Sequence, residues 1–311
     1  MFNVNRMRIL REVSARGSIA GAAEALYMSP SGVSQQMATL EREAGVDLLE
    51  RVGRGVRLTP AGERLVEHTE RVLALLEEAQ ADVDAVAHGV AGRVHTCAFP
   101  TAARALLVPA LARLRSAYPR LQLKMVDLEP EDSIPLLKTG ELDILLTYEF
   151  EKMPVREDIG LERIVLMSEP MAIALPVSHP LAAGPVRIAD LSADQWIVGR
   201  DGSPFLEVQV RVSNEAGYQP RVDLHSNDFQ VILAAVEAGL GVALVPPMGR
   251  FADYPGVAFR QPADMEVRRR ILAVIRAGSG GSPAVAAALD AIRSVARERA
   301  AASPFAGVRA E

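Results

Sequence analysis

Short helices opened by capping serines, then a long heptad seam, then an α/β alternation that repeats about a hundred residues on, together predict the fold class. It is a two-lobed α/β domain preceded by an all-α winged helix-turn-helix and a long linker helix. At 311 residues the chain exceeds one ordinary core and fits two or three domains. The boundaries read as 1–59 for the first unit, 60–92 for the linker helix and hinge, and 93–300 for the two-lobed domain. Lobe I takes about 93–166 plus 267–300, lobe II about 167–266, and 301–311 reads as a disordered tail.

In the first unit Val4, Met7, Leu10 and Val13 recur at helical spacing. Gly17-Ser18 breaks that pattern, and Ser18 caps a second helix with Ile19, Ala22, Ala23 and Leu26 on one face. Ser29-Pro30 starts a third, because proline fits the first helical position, where no N–H is needed. Two short helices joined by a tight turn match a helix-turn-helix. Leu48 to Arg51 and Val56 to Leu58 then read as two short strands around Gly53-Arg54-Gly55, a wing.

Thr59-Pro60 opens the linker helix, Pro60–His88. Leu65, Thr69, Val72, Leu76, Ala79, Val83 and Val86 alternate four and three residues apart, a seam that an isolated helix cannot bury. Its other faces are acidic (Glu63, Glu67, Glu70, Glu77, Glu78, Asp82, Asp84), which favours a dimerisation helix over one lying on nucleic acid. A helix packed on its own chain is the alternative. Gly89-Val90-Ala91-Gly92 reads as a hinge.

Beyond it, 94–99, 121–126, 142–146 and 171–176 read as strands and 102–117 as a helix, the texture of an open, largely parallel sheet. Tyr118-Pro119-Arg120-Leu121 leads into a strand, a helix and Gly140-Glu141-Leu142-Asp143. Tyr218-Gln219-Pro220-Arg221 leads into the same series, ending at Gly239-Leu240-Gly241-Val242. The echo predicts two similar lobes.

On a helical wheel, Val33, Met37 and Leu40 face inward, while Ser31, Gln35, Ala38 and Arg42 face out, flanked by Ser34 and Thr39. Hydroxyls and an amide reach base edges without a charge penalty, and Gln suits adenine. The chain is formally −5, yet 1–59 holds eight arginines against six acids. Three of them, Arg51, Arg54 and Arg57, cluster in the wing, where they suit phosphates.

The stretch GSIAGAAEALYMSPSGVSQQMATLEREAGVDLLER, followed by GVRLTPAGERL, resembles the DNA-binding domain of LysR-type transcription regulators. AFPTAARALLVPAL, GELDILL and GLGVALVP extend the resemblance through their regulatory domain, whose two lobes are periplasmic-binding-protein-like. It implies a regulator whose operator binding or activation is modulated by a small organic effector. Pro30, Ser31, Ser34 and Gln35 would approach bases or nearby phosphates, and the wing arginines the backbone. It also implies double-stranded operator DNA as partner, a homodimer that forms a homotetramer, and RNA polymerase as a further partner. Gln35, Ala38 and Leu49 depart from frequent family residues.

Effectors in two-lobed domains sit in the cleft, at strand ends and helix N-termini. Pro100-Thr101, Ser203 and Asn227 stand at such positions, and Thr147-Tyr148 and Pro246 complete the wall. Glu149 and Asp228 favour a cationic group, the helix N-termini an anionic one.

Catalytic motifs are missing: no G-x-S-x-G, no P-loop lysine and no H-E-x-x-H, with five scattered histidines. Neither metal nor cofactor is implied. A solute-binding protein of the same two-lobed fold is the alternative, and an α/β enzyme with a fused helical domain ranks behind it. The charged N-terminus argues against a signal peptide, and the apolar run 231–248 is interrupted by Glu237 and Pro246-Pro247. One cysteine, Cys97, in an apolar run, reads as a buried, inert thiol. A cytoplasmic protein without membrane contact is expected.

Overall fold

The computed structural model describes residues 1–53, 55–88, 90–154, 160–250, 253–303 and 307–310. α1 (Val4–Arg16), α2 (Ile19–Ala25) and α3 (Pro30–Ala44) each start on a side-chain cap, from Asn3, Ser18 and Ser29 respectively. They bury Leu10, Val13, Val33, Met37 and Leu40 in one small core. In the turn before α3, Tyr27 adopts φ 53° with 93% of its surface exposed.

β1 (Leu49–Val52) and β2 (Gly55–Leu58) pair antiparallel and form the wing. Its root is tied to α3, since one Glu41 carboxylate oxygen accepts from the Leu48 and Leu49 N–H groups at 3.0 and 3.2 Å. α4 (Pro60–His88) follows, its 29 residues spanning about 43 Å. Gly62 is required there, because a Cβ would stand 2.2 Å from the Leu48 carbonyl oxygen.

The α4 seam divides into two regimes. Leu65 and Thr69 are buried against the N-terminal unit, while Leu76 and Val83 are 50% and 63% exposed; the Val86 side chain lies outside those described. Midway, α4 leans on lobe I, so closely that a Cβ on Gly278 would meet the Ala74 carbonyl oxygen at 2.4 Å.

Lobe I begins with β3 (Gly92–Ala98), α5 (Pro100–Ala102), a π turn at Ala103–Leu107 and α6 (Val108–Ala117). It continues through β4 (Leu121–Asp127), α7 (Pro130–Thr139), β5 (Ile144–Phe150) and β6 (Leu161–Pro170). Lobe II holds β7 (Ala172–Pro176), β8 (Gln195–Val198), α8 (Pro204–Glu215), β9 (Arg221–His225), α9 (Phe229–Glu237), β10 (Ala243–Val245) and β11 (Val257–Arg260). The chain returns to lobe I as β12 (Arg268–Arg276), α10 (Pro283–Ala302) and β13 (Arg309–Ala310). The lobe I sheet runs β13-β6-β12-β5-β3-β4; lobe II pairs β10-β7-β11 and β8-β9, linked by a Trp196–Val242 bridge.

The repeated unit is present in both lobes. β3 is flanked by parallel β4 and β5, and β8 by parallel β9 and, through the Trp196 bridge, the approach to β10. The expected largely parallel sheet is in fact mixed, because β12 runs antiparallel to both β5 and β6. The lobes change over later than 166/167. β6 stays in the lobe I ladder as far as Pro170, opposite Arg268, and Met171 N–H then donates to Val267 O at 2.7 Å. Arg309 and Ala310, within the stretch read as a disordered tail, pair with Ser168 and Met167.

Candidate functional site

The outward face of α3 carries the predicted pattern. Pro30, Ser31, Ser34 and Gln35 are exposed beside the buried Val33, Met37 and Leu40. Ser31 hydroxyl lies 3.1 Å from the capping Ser29 hydroxyl. Thr39 differs from expectation: its hydroxyl donates to the Gln35 carbonyl at 2.9 Å and accepts from Arg42 at 2.8 Å. It therefore fixes Arg42 along the helix instead of presenting a free hydroxyl. In the wing, Arg57 is paired with Glu50 directly across the ladder at 2.5 Å. Arg51 is exposed with no ion pair among the described residues, and Arg54 lies outside them.

The interlobe cleft is built where four helices begin. Phe99, Pro100 and Thr101 at α5, Glu129 at α7, Phe205 at α8, and Asn227 and Phe229 at α9 surround an inner space of about 20 Å³, room for roughly one water. An aromatic run crosses it from lobe I to lobe II: Phe99–Tyr148, Tyr148–Phe150, Phe150–Phe205 and Phe205–Phe229 have centroids 4.8, 5.6, 6.4 and 5.3 Å apart. Beside it opens a roomier compartment of about 270 Å³, walled by Pro130, Thr147, Met153, Pro204 and the Arg163–Glu149 pair among others.

At the base of the cleft lies a buried ion pair. Arg269 Nη2 and Nε donate to Glu169 Oε1 at 2.5 and 3.0 Å, while Met248 N–H donates to Glu169 Oε2 at 3.0 Å. Both side chains are almost wholly buried. The guanidinium also faces the Phe99, Tyr148 and Phe229 rings at 5.2, 5.5 and 6.0 Å, and Thr101 Oγ1 at 3.5 Å. Glu169 ends β6 and Arg269 starts β12, so the pair binds the two connecting strands to each other and to groups from both lobes. Nearby, burial pulls the Arg250 guanidinium down to about 10, against the attraction of Glu169.

The predicted effector residues separate into three groups. Pro100, Thr101 and Asn227 line the inner space, and Thr147 the side compartment. Asn227 accepts from Arg200 N–H at 3.0 Å, while its buried Nδ2 has no hydrogen-bond partner. Ser203 and Pro246 line neither cavity. Ser203 is fully buried, its hydroxyl capping α8 through Leu206 N–H at 3.2 Å, and Pro246 precedes the turn that offers Met248 N–H to Glu169. Sequence reasoning did not single out Glu129, Glu169, Arg269 or the four phenylalanines. The one signal for them was a triple arginine, Arg268 to Arg270, opening an otherwise apolar run.

Cys97 is buried on β3 and burial pushes its thiol up to about 11. Among the described residues no helix is long and apolar enough to cross a membrane, and no group of three His, Cys, Asp or Glu side chains is arranged to hold a metal ion.

Two family descriptions match the chain: "Bacterial regulatory helix-turn-helix protein, lysR family" over residues 4–63, and "LysR substrate binding domain" over 87–297. Among curated relatives, the transcriptional dual regulator GltC of Bacillus subtilis is 26% identical over 88% of this chain and 90% of its own length. The probable HTH-type transcriptional regulator LrrA of Synechococcus elongatus is 30% identical over 95% and 98%. Among solved structures, a full-length OxyR variant from Pseudomonas aeruginosa superposes with a TM-score of 0.64 at 23% identity, covering 96% of this chain and 97% of that one.

Proposed function

The chain belongs to the LysR family of DNA-binding transcription regulators, and on that premise we propose which of its surfaces read DNA and which receive the effector. It is a regulator, not an enzyme. α3 enters the major groove of operator DNA with Ser31, Ser34 and Gln35 toward base edges. Arg51, Arg57 and Arg54 hold the flanking phosphates. The observation that carries this reading is the exposed polar face of α3, bare of acids over Pro30–Thr39 and backed by a closed apolar core. Gln35 is the base reader, since its amide offers both a donor and an acceptor.

A small organic effector binds in the interlobe cleft, with Pro100, Thr101, Thr147 and Asn227 in its wall. Ser203 and Pro246 act behind the wall, one holding the start of α8 and the other the turn beside Glu169. The exposed half of the α4 seam joins two copies, and such dimers pair into a tetramer that meets RNA polymerase on the promoter. The family resemblance supports these last two assignments.

Binding to the protein's own upstream region tests the DNA reading, with operator and scrambled duplexes compared across a salt series. Gln35→Ala should lose about 1–3 kcal/mol on the operator and little on scrambled DNA. Arg51→Ala should weaken both alike and flatten the salt dependence by about one unit per lost phosphate contact. Equal losses on both duplexes for Gln35→Ala would remove that residue from base reading.

A further inference from the structure

A second polar site lies away from the cleft, where α1, α4 and lobe I meet. There a cavity of about 300 Å³ is lined by Arg8 and Arg11 from α1, Glu70 and Glu77 from α4, Lys138 at the end of α7, and Arg276 from β12. Four cations thus face two carboxylates. The buried Arg11 and the half-buried Arg276 differ sharply in how they are satisfied. Arg276 is saturated: it bonds Glu77, Asp143 at 3.2 Å and the Leu137 and Leu142 carbonyls. Although burial opposes its charge, Glu77 and Asp143 hold it above the ordinary value.

Arg11 has no such company. It is 8% exposed, makes no side-chain hydrogen bond among the described residues, and its ion pair with Glu70 Oε2 is loose at 3.8 Å. Burial pulls its guanidinium below the ordinary value, and the Arg8 and Arg276 charges add to that pull against Glu70 and Glu12. Its one ion pair among the described residues is this loose contact with Glu70, and the guanidinium lines the cavity, where an acceptor would meet its remaining N–H groups. Arg8, one helical turn before it on the same face of α1, brings a second guanidinium to the cavity.

We propose that this junction is a binding site for a small dianionic oxyanion, a phosphate or a dicarboxylate, held by Arg11 and Arg8 between the DNA-binding unit and lobe I. Arginine forks fit such oxygens two at a time. The site shares no lining residue with the inner space of the interlobe cleft, and one, Leu161, with its side compartment.

The test is thermal unfolding of the full-length protein, titrated with inorganic phosphate or succinate against sodium chloride of matched ionic strength. A saturable rise in Tm of about 2–4 °C is expected with at least one of the two anions. Arg11→Gln should abolish it, and Arg8→Gln, a surface change on α1, should raise the half-saturating concentration about tenfold. If Arg11→Gln does not fold, Arg8→Gln alone decides. A wild-type protein indifferent to both anions would overturn the proposal, and so would an unchanged titration in Arg8→Gln, which would mark a general salt effect. Which anion saturates at lower concentration distinguishes phosphate from dicarboxylate.

Discussion

Replacing Glu169 with glutamine probes the ion pair at the base of the cleft with minimal change of shape. The carboxylate accepts three hydrogen bonds, two from Arg269 and one from Met248 N–H. The glutamine carbonyl can keep one or two of them but supplies no charge, and its amide adds donors where the guanidinium already offers them. Removing one partner of a buried pair costs about 3–5 kcal/mol, because the other charge stays buried and uncompensated. The same loss is expected of Arg269→Met, whose side chain fills part of the space among Phe99, Tyr148 and Phe229 but leaves Glu169 charged. Urea unfolding followed by the single tryptophan, Trp196, reads the effect, since that ring is buried in lobe II. The variant Glu169→Met/Arg269→Met buries no charge, and should recover about 2–3 kcal/mol relative to the summed single losses. Single losses below about 1 kcal/mol, or losses that simply add, would refute the reasoning.

Leu76→Glu puts a charge on the exposed half of the α4 seam; size-exclusion chromatography should show smaller assemblies and operator affinity should fall. An unchanged assembly would mean that the seam does not join copies. Tyr27→Gly removes a left-handed backbone penalty without losing packing, and should stabilise the N-terminal unit by about 1 kcal/mol in thermal unfolding. A fall in Tm would show that the exposed ring contributes. Because the Cys97 thiol is buried and pushed up to about 11, maleimide labelling at neutral pH should track global unfolding. Labelling of the native protein as fast as a free thiol would contradict its placement.

What could be read from the sequence was local. Ser18 and Ser29 announce their helices through bonds made three residues away, and Gly140 and Gly239 mark the repeated unit through the turns they occupy. The connecting strands escaped notice because their chemistry is settled about a hundred residues away. Arg268, Arg269 and Arg270 look like a basic patch, yet each meets a different acid far off in sequence: Glu151, Glu169 and Glu149 respectively. The wheel placed Thr39 at the edge of the polar face, but not its hydrogen bond to Gln35, which takes up the hydroxyl proton. Of the aromatic run only Tyr148 was expected in the wall; Phe99, Phe150, Phe205 and Phe229 were hidden, since the run forms only when both lobes are assembled.

The contact between Gly278 and Ala74 gives α4 a fulcrum. Ala74 lies near the middle of the helix, and Pro60, where the wing attaches, is about 21 Å away along its axis at 1.5 Å per residue. A rocking of α4 by about 5° on that point carries the Pro60 end sideways by about 2 Å, by the geometry of a rigid rod of that length. The arm beyond Ala74 moves the other way, so a shift of the wing relative to lobe I is matched by an opposite shift of the helix end at His88. Any side chain placed on Gly278 would lift the rod from its support, and Gly278→Ala is thus the smallest change that alters the leverage without touching the DNA-reading face or the cleft.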